Sequence, residues 1–387
     1  MPPLAIYIHI PFCQRKCPYC DFNTYAGREG QYDAFVEALA WDIQRTGEAM
    51  ARPQVRTVFL GGGTPTVLEP HHLERIFATL HAGFDILPDA EITSEANPGT
   101  VDAGRFETLR ALGVNRLSMG VQSFDDEELR FLGRIHSATE ARTAFDMARR
   151  AGFENINLDF MFGLPEQSPQ VWRRTLNQAI GLRPEHLSLY SLTVEPGTPL
   201  AAWVARGQVS QPDPDLAADL YDVAREMLAQ ADFEHYEISN WARGPLDDDP
   251  LPRFAARHNL VYWRNEPYLG FGPGAHGWFQ GVRRAVVTDV GEYIRRVEAG
   301  EAYWAMEERI DRALEMGETM MLGLRLIRAG VECERFRERF GVDVTDIWPD
   351  AIAELRSRGL IEVTPERVRL TPSAILIANE VFAEFLP

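Results

Sequence analysis

The sequence is short of lysine. Lys16 is the only one among 39 basic residues, and the rest are arginine. Arginine is the better fork for carboxylates, but a genome-wide codon bias explains the skew more simply. Positive charge is scarce overall: 57 acidic residues against 39 basic ones leave a net charge of −18. That balance argues against nucleic acid as the main partner, because phosphate binding needs a basic footprint. It argues equally against a polybasic membrane anchor. Long apolar runs are missing, and none reaches the ~18 residues of a membrane span. Met1-Pro2-Pro3-Leu4 lacks the basic and apolar regions of a signal peptide. These absences together lead us to expect a cytoplasmic protein with no integral membrane segment, its only membrane contact peripheral. Cysteine is rare too: four in 387 residues is too few for a disulfide scaffold.

What is present is ordinary for a soluble chain. At 45% hydrophobic residues the chain can bury a core without metal or disulfide staples. Its length suggests about two or three domains. Strand-like runs open at Ala5, Thr57, Glu91, Arg116, Ile156 and His186. Helix-period segments lie between them, at 32–46, 70–83, 127–150 and 169–181. That alternation predicts βαβ units and a parallel sheet. Six such strands suggest an α/β fold of the partial (β/α)6, TIM-like barrel type, with unusual residues gathered at one mouth. The cysteines, Gly61-Gly62-Gly63, Glu95, Gln122 and Asp159 all follow strands.

The pattern changes after Pro199. Residues 1–205 read as the barrel and 206–305 as a segment completing it, with glycine and aromatics dense over 258–280. Residues 244–253 read as an acidic, proline-rich, mobile loop. Residues 306–387 read as a helical α+β domain, three helices and a hairpin resembling a winged helix. That module usually meets DNA, which the charge balance does not support.

Cys13, Cys17 and Cys20 place three thiolates on one loop. Three soft ligands suit zinc or an iron–sulfur cluster. A closed zinc site wants a fourth ligand, for which only His9 or a distant residue could serve. Core packing is the third reading, and Cys333, in an amphipathic helix, fits it best.

The C-x3-C-x2-C spacing after the first strand and Gly-Gly-Gly-Thr-Pro after the second resemble the radical SAM superfamily. Tyr7-Ile8-His9-Ile10-Pro11-Phe12-Cys13 narrows the likeness to the branch of oxygen-independent coproporphyrinogen III dehydrogenases and HemW-type haem chaperones. The resemblance covers nearly the whole chain. It implies a [4Fe–4S] cluster on Cys13, Cys17 and Cys20, with S-adenosylmethionine on the open iron and a deoxyadenosyl radical as its cleavage product. It also implies contacts to S-adenosylmethionine from Tyr7, Gly62, Gly63, Thr64, Glu95, Gln122, Arg134, Asp159 and Thr193. Arg134 would fork the carboxylate and Asp159 would accept from the ribose. Glycines also let a backbone approach a ligand closely.

Two departures favour the chaperones. The dehydrogenases carry a further cysteine where Phe22 stands, and a long extension ahead of the first strand. His258-Asn259-Leu260-Val261-Tyr262-Trp263 resembles the HNxxYW motif of the chaperones. It makes His258 the candidate contact to haem b, with a packed, hydrogen-bonded histidine as the competing reading. His276, His235 and Cys333 follow behind. The resemblance thus implies haem delivered to acceptor haem proteins such as respiratory cytochromes, on a scaffold that can form a homodimer. It names no catalytic residue. The alternative is oxidative decarboxylation of coproporphyrinogen III.

Overall fold

The computed structural model describes residues 2–244 and 250–387. Half of the acidic loop at 244–253, residues 245–249, therefore lies outside the described residues. The chain forms two compact units, one of Met1–Ala224 with Pro267–Glu308 and one of Arg225–Glu266 with Arg309–Pro387. Each takes two stretches of chain. The segment 206–305 is thus shared between the units, with residues 225–266 joining the C-terminal part and 267–305 staying with the barrel.

The first unit is built on six parallel strands: β1 (Leu4–Ile10), β2 (Gln54–Gly62), β3 (Asp85–Ala96), β4 (Arg116–Gln122), β5 (Ile156–Phe162) and β6 (His186–Ser191), paired in that order. β1 and β5 are buried on both faces but for one half-buried residue each, as expected of strands covered on two sides. Helices α1 (Tyr32–Ala49), α2 (Pro70–Gly83) and α3 (Ala103–Ala111) make the first crossovers. The fourth crossover holds two helices, α4 (Asp126–Phe131) and α5 (Ala138–Arg150), where the periodicity predicts one over 127–150. Gly133 takes φ +66, and Ser137 starts α5 with a capping box to Glu140. These local signals outweigh the continuous apolar stripe. Helix α6 (Pro169–Leu182) makes the last crossover, and α7 (Pro199–Ala205) and α8 (Pro214–Gln230) follow β6 in sequence.

Later chain extends the sheet past β1. β9 (Tyr268–Phe271) pairs parallel with β1, and β10 (His276–Phe279), β11 (Val282–Val286) and β12 (Trp304–Arg309) follow outward. Asp42, buried on α1, fastens this extension by accepting hydrogen bonds from Tyr293 (3.0 Å) and Tyr303. Burial pushes its carboxyl up to about 6.

The second unit holds a hairpin of β7 (Glu234–Glu237) and β8 (Asn240–Ala242), helix α9 (Arg257–Trp263) and the C-terminal helices. Its three-stranded sheet runs β13 (Val331–Glu332), β15 (Arg367–Leu370), β14 (Ile361–Val363). That is the helices-plus-hairpin arrangement expected for a winged-helix-like domain. Cys333 belongs to its hydrophobic core.

Candidate functional site

The strand ends of the first unit enclose a cavity of about 520 Å³. Cys13, Cys17, Cys20, Gly62, Gly63, Thr64, Glu95, Gln122, Arg134, Asp159 and Thr193 all line it. Two expected residues do not. Tyr7 is half-buried on β1, with its hydroxyl hydrogen-bonded to His9 Nδ1 at 2.9 Å. His258 lies on α9 in the second unit, 1% exposed, with Nε2 hydrogen-bonded to the Tyr262 hydroxyl at 2.8 Å. The structure therefore gives His258 the packed, hydrogen-bonded surroundings of the competing reading.

The cysteine loop is pinned at its base. Cys13 donates its N–H to Tyr25 (2.9 Å), and Tyr25 donates back to Pro11 (2.7 Å). Each sulfur has polar neighbours. Thr64 Oγ1 donates to Cys13 at 3.6 Å, Arg134 Nη1 donates to Cys17 at 3.4 Å, and Thr24 Oγ1 lies 4.0 Å from Cys20. Burial pushes the thiols of Cys13 and Cys20 up, so both are held as thiols until a cation arrives. Among the described residues, the one trio of His, Cys, Asp or Glu whose ligand atoms all lie within 4.8 Å of one another is Asp33, His71 and His72. The three thiols are spread more widely than that, which suits a multi-iron cluster better than one tetrahedral ion. His9 is not a fourth ligand. Its Nδ1 accepts from Tyr7, and its Nε2–H donates to Asn23 O at 2.9 Å.

The glycine triplet is explained by protein neighbours. A Cβ on Gly61 would meet the Phe59 ring at 2.6 Å and the Glu95 carboxyl at 2.9 Å. One on Gly62, which has φ +104, would lie 2.4 Å from the His9 ring, and one on Gly63 would lie 2.4 Å from Phe12 O. The bare backbone zips onto the cysteine loop, Gly63 N–H to Ile10 O (2.8 Å) and Thr64 N–H to Phe12 O (2.7 Å). The triplet thus sets the cradle by close packing, before any ligand is considered.

Four carboxyl residues line the cavity, and two of them, Glu95 and Asp159, stand on strands. Glu95 accepts the Gly62 N–H at 3.1 Å. Burial, then the nearby Asp159, pushes its pKa up to about 8. Asp159 is also raised by burial, although it accepts from Asn157 (2.8 Å) and Ser118 (3.0 Å). A buried Glu95 whose ionisation Asp159 hinders gains from a bound cation. Arg134 brings the opposite charge. Its Nη2 donates to Gly120 O at 2.7 Å, and its Nε is buried without a hydrogen-bond partner among the described residues. Carboxyls on one side and a guanidinium beside the thiols on the other fit a zwitterionic ligand carrying an ammonium, a carboxylate and a further positive centre. The residues present therefore fit S-adenosylmethionine on an iron–sulfur cluster. When bound, that pair supplies one-electron reduction and a carbon radical. The contact to Cys17 gives Arg134 a second task beyond forking a carboxylate.

Sequence reasoning missed a supporting network. Asn157 donates to Ser118 and Asp159 (both 2.8 Å) and accepts from His186 (2.6 Å) and Ser188 (3.1 Å). It also missed His136, whose ring contacts Val121 O and Asn97 Oδ1, both at 3.1 Å, beside the left-handed Gln122 at φ +70. A strand's inward period points to Asn157 only once the strand register is known.

This fold and this site define a radical SAM protein. Residues 7–179 match the Radical SAM superfamily, and residues 310–377 match the HemN C-terminal domain. Heme chaperone HemW of Bacillus subtilis is 38% identical over 384 residues, 99% of each chain. That of Lactococcus lactis is 33% identical over 99% of this chain and 97% of its own. That of Escherichia coli is 43% identical over 72% of this chain and 70% of its own. The chain belongs to the HemW family. The solved structure of coproporphyrinogen III oxidase (HemN) from Escherichia coli shares the fold, with a TM-score of 0.82 and 23% identity over 99% of this chain and 90% of its own.

Proposed function

We propose that this chain is a haem chaperone, binding haem b and passing it to acceptor haem proteins such as respiratory cytochromes. The observation that carries the reading is the likeness to Heme chaperone HemW of Bacillus subtilis over 99% of both chains. The cavity supports a resident cluster on Cys13, Cys17 and Cys20, with S-adenosylmethionine held by Gly62, Gly63, Thr64, Glu95, Gln122, Arg134, Asp159 and Thr193. Tyr7, near Glu95 and hydrogen-bonded to His9, joins that site. Phe22 supports the chaperone over the dehydrogenase. It is 64% exposed at the position where the dehydrogenase pattern has a further cysteine. The protein works in the cytoplasm, and S-adenosylmethionine with the cluster governs a homodimer and haem release. No helix among the described residues is long and apolar enough to cross a membrane.

The test uses anaerobic protein with its cluster rebuilt. Haem is titrated in, following the Soret band. The same preparation is assayed for coproporphyrinogen III decarboxylation with S-adenosylmethionine and a reductant. About one haem per chain and no decarboxylated product is the expected result. Coupled CO₂ release without haem binding would assign the chain to the dehydrogenase activity instead.

A further inference from the structure

Three exposed aromatic rings stand out among the large apolar side chains of the described residues: Phe22 (64%), Trp41 (42%) and Tyr190 (43%). One exposed aromatic is ordinary. Two of these three, Phe22 and Tyr190, line the same cavity mouth. Trp41 lies elsewhere, on α1, with the Arg45 guanidinium over its ring at 5.0 Å. Two exposed cations stand at this mouth as well. Arg15 and Lys16 line it, and Lys16 Nζ donates to Phe22 O at 3.0 Å, holding ring and cation on one lip. Asp21 on the same loop and Glu195 also line the mouth, so Arg15 and Lys16 act on a ligand at close range only.

A flat apolar ligand with carboxylates at one edge complements this surface. Aromatic faces take the plane, and the cations take the edge. The cavity beneath, at about 520 Å³, is sized for one small ligand. A macrocycle would therefore lie across the opening. We infer that haem rests on the mouth of the first unit, its plane on Phe22 and Tyr190 and its propionates toward Arg15 and Lys16. The inference rests on the haem-chaperone reading and gives it a binding surface built without His258. It has a consequence for the other ligand. Haem across the mouth closes the route out of the cavity, so S-adenosylmethionine leaves haem-loaded protein more slowly.

The experiment uses the full chain with its cluster rebuilt and checks equal iron content in every variant. Haemin affinity is read from the Soret band for wild type, Phe22→Ala, the Arg15→Glu/Lys16→Glu pair, Trp41→Ala and His258→Ala. The changed rim residues are exposed, so these variants fold. Phe22→Ala and the charge-reversed pair are each expected to weaken haemin binding about tenfold, with Trp41→Ala unchanged. Labelled S-adenosylmethionine is expected to dissociate more slowly from wild type once haemin is bound, and this slowing disappears in Phe22→Ala. Wild-type affinity in both rim variants, with loss only in His258→Ala, would overturn the inference and move the iron to the second unit. If wild type itself binds no haemin, the chaperone reading fails, a result distinct from either.

Discussion

Single residues set the electrostatics of this cavity. Glu95 shows the sign most clearly. Its carboxyl is raised to about 8 by burial and by Asp159, above its ordinary 4.5. The folded protein therefore holds more protons than the unfolded chain between those values. Stability falls as pH rises through that window. In cluster-free protein, Glu95→Gln is expected to flatten the dependence of the thermal midpoint on pH between about 5 and 8. An unchanged slope would show that Glu95 ionises freely. The cation-binding logic adds a second expectation. S-adenosylmethionine should displace the Glu95 proton on binding, so calorimetry at pH 7 in buffers of different ionisation heat should show proton release, absent in Glu95→Gln. Gly63 carries a different kind of constraint. A Cβ there would sit 2.4 Å from Phe12 O, while one on Gly30 would meet nothing within 4 Å. Gly63→Ala is expected to lower the iron retained per chain after reconstitution, and Gly30→Ala to leave it unchanged. Thr64→Val removes the hydroxyl that donates to Cys13 while keeping its shape. It is expected to shift the cluster's midpoint potential negative in an EPR-monitored titration, since hydrogen bonds to sulfur stabilise the reduced state.

At the scale of elements, the break in the fourth crossover matters most. Periodicity predicts one helix over 127–150, yet the chain stops at Phe131 and restarts at Ala138. That interruption delivers Arg134 to Cys17 and His136 to the backbone at Val121. The parallel strands and the mouth-facing cysteines, Glu95 and Asp159 were legible because alternating βα units leave loop residues at one face. The break was obscured because the stretches on both sides are helical in pattern, with Leu129 buried on one and Ala141, Ala144, Phe145 and Ala148 on the other. A strand's period gives a residue's face but not its hydrogen-bond partners, and Tyr7, half-buried on β1, shares its hydroxyl with His9. The Asn157 network joins β4, β5 and β6 through side chains that look unrelated in sequence. Asn157→Leu strands donors and acceptors on Ser118, Asp159, His186 and Ser188, and should cost about 3 kcal/mol in chemical denaturation. A loss under about 0.5 kcal/mol would show that the strands do not depend on it.

At the scale of the molecule, the two units each combine distant stretches of chain. Residues 225–266 read as barrel material because they sit between barrel segments. Their apolar residues instead pack with Leu326 and Ala329, some seventy residues onward, a pairing no local pattern reveals. The same placement puts His258 in the second unit, while every residue of the cluster and cofactor cavity lies in the first. The most direct measurement of the central claim is haem handover. Haem-loaded, cluster-replete protein is mixed with an apo-b-type cytochrome, the two are separated, and the Soret absorbance of each fraction is read against a free-haem control. The account predicts that the cytochrome fraction gains haem as the donor loses it, and that saturating S-adenosylmethionine changes the rate. Haem that stays with the donor, or reaches the cytochrome no faster than free haem does, would contradict it.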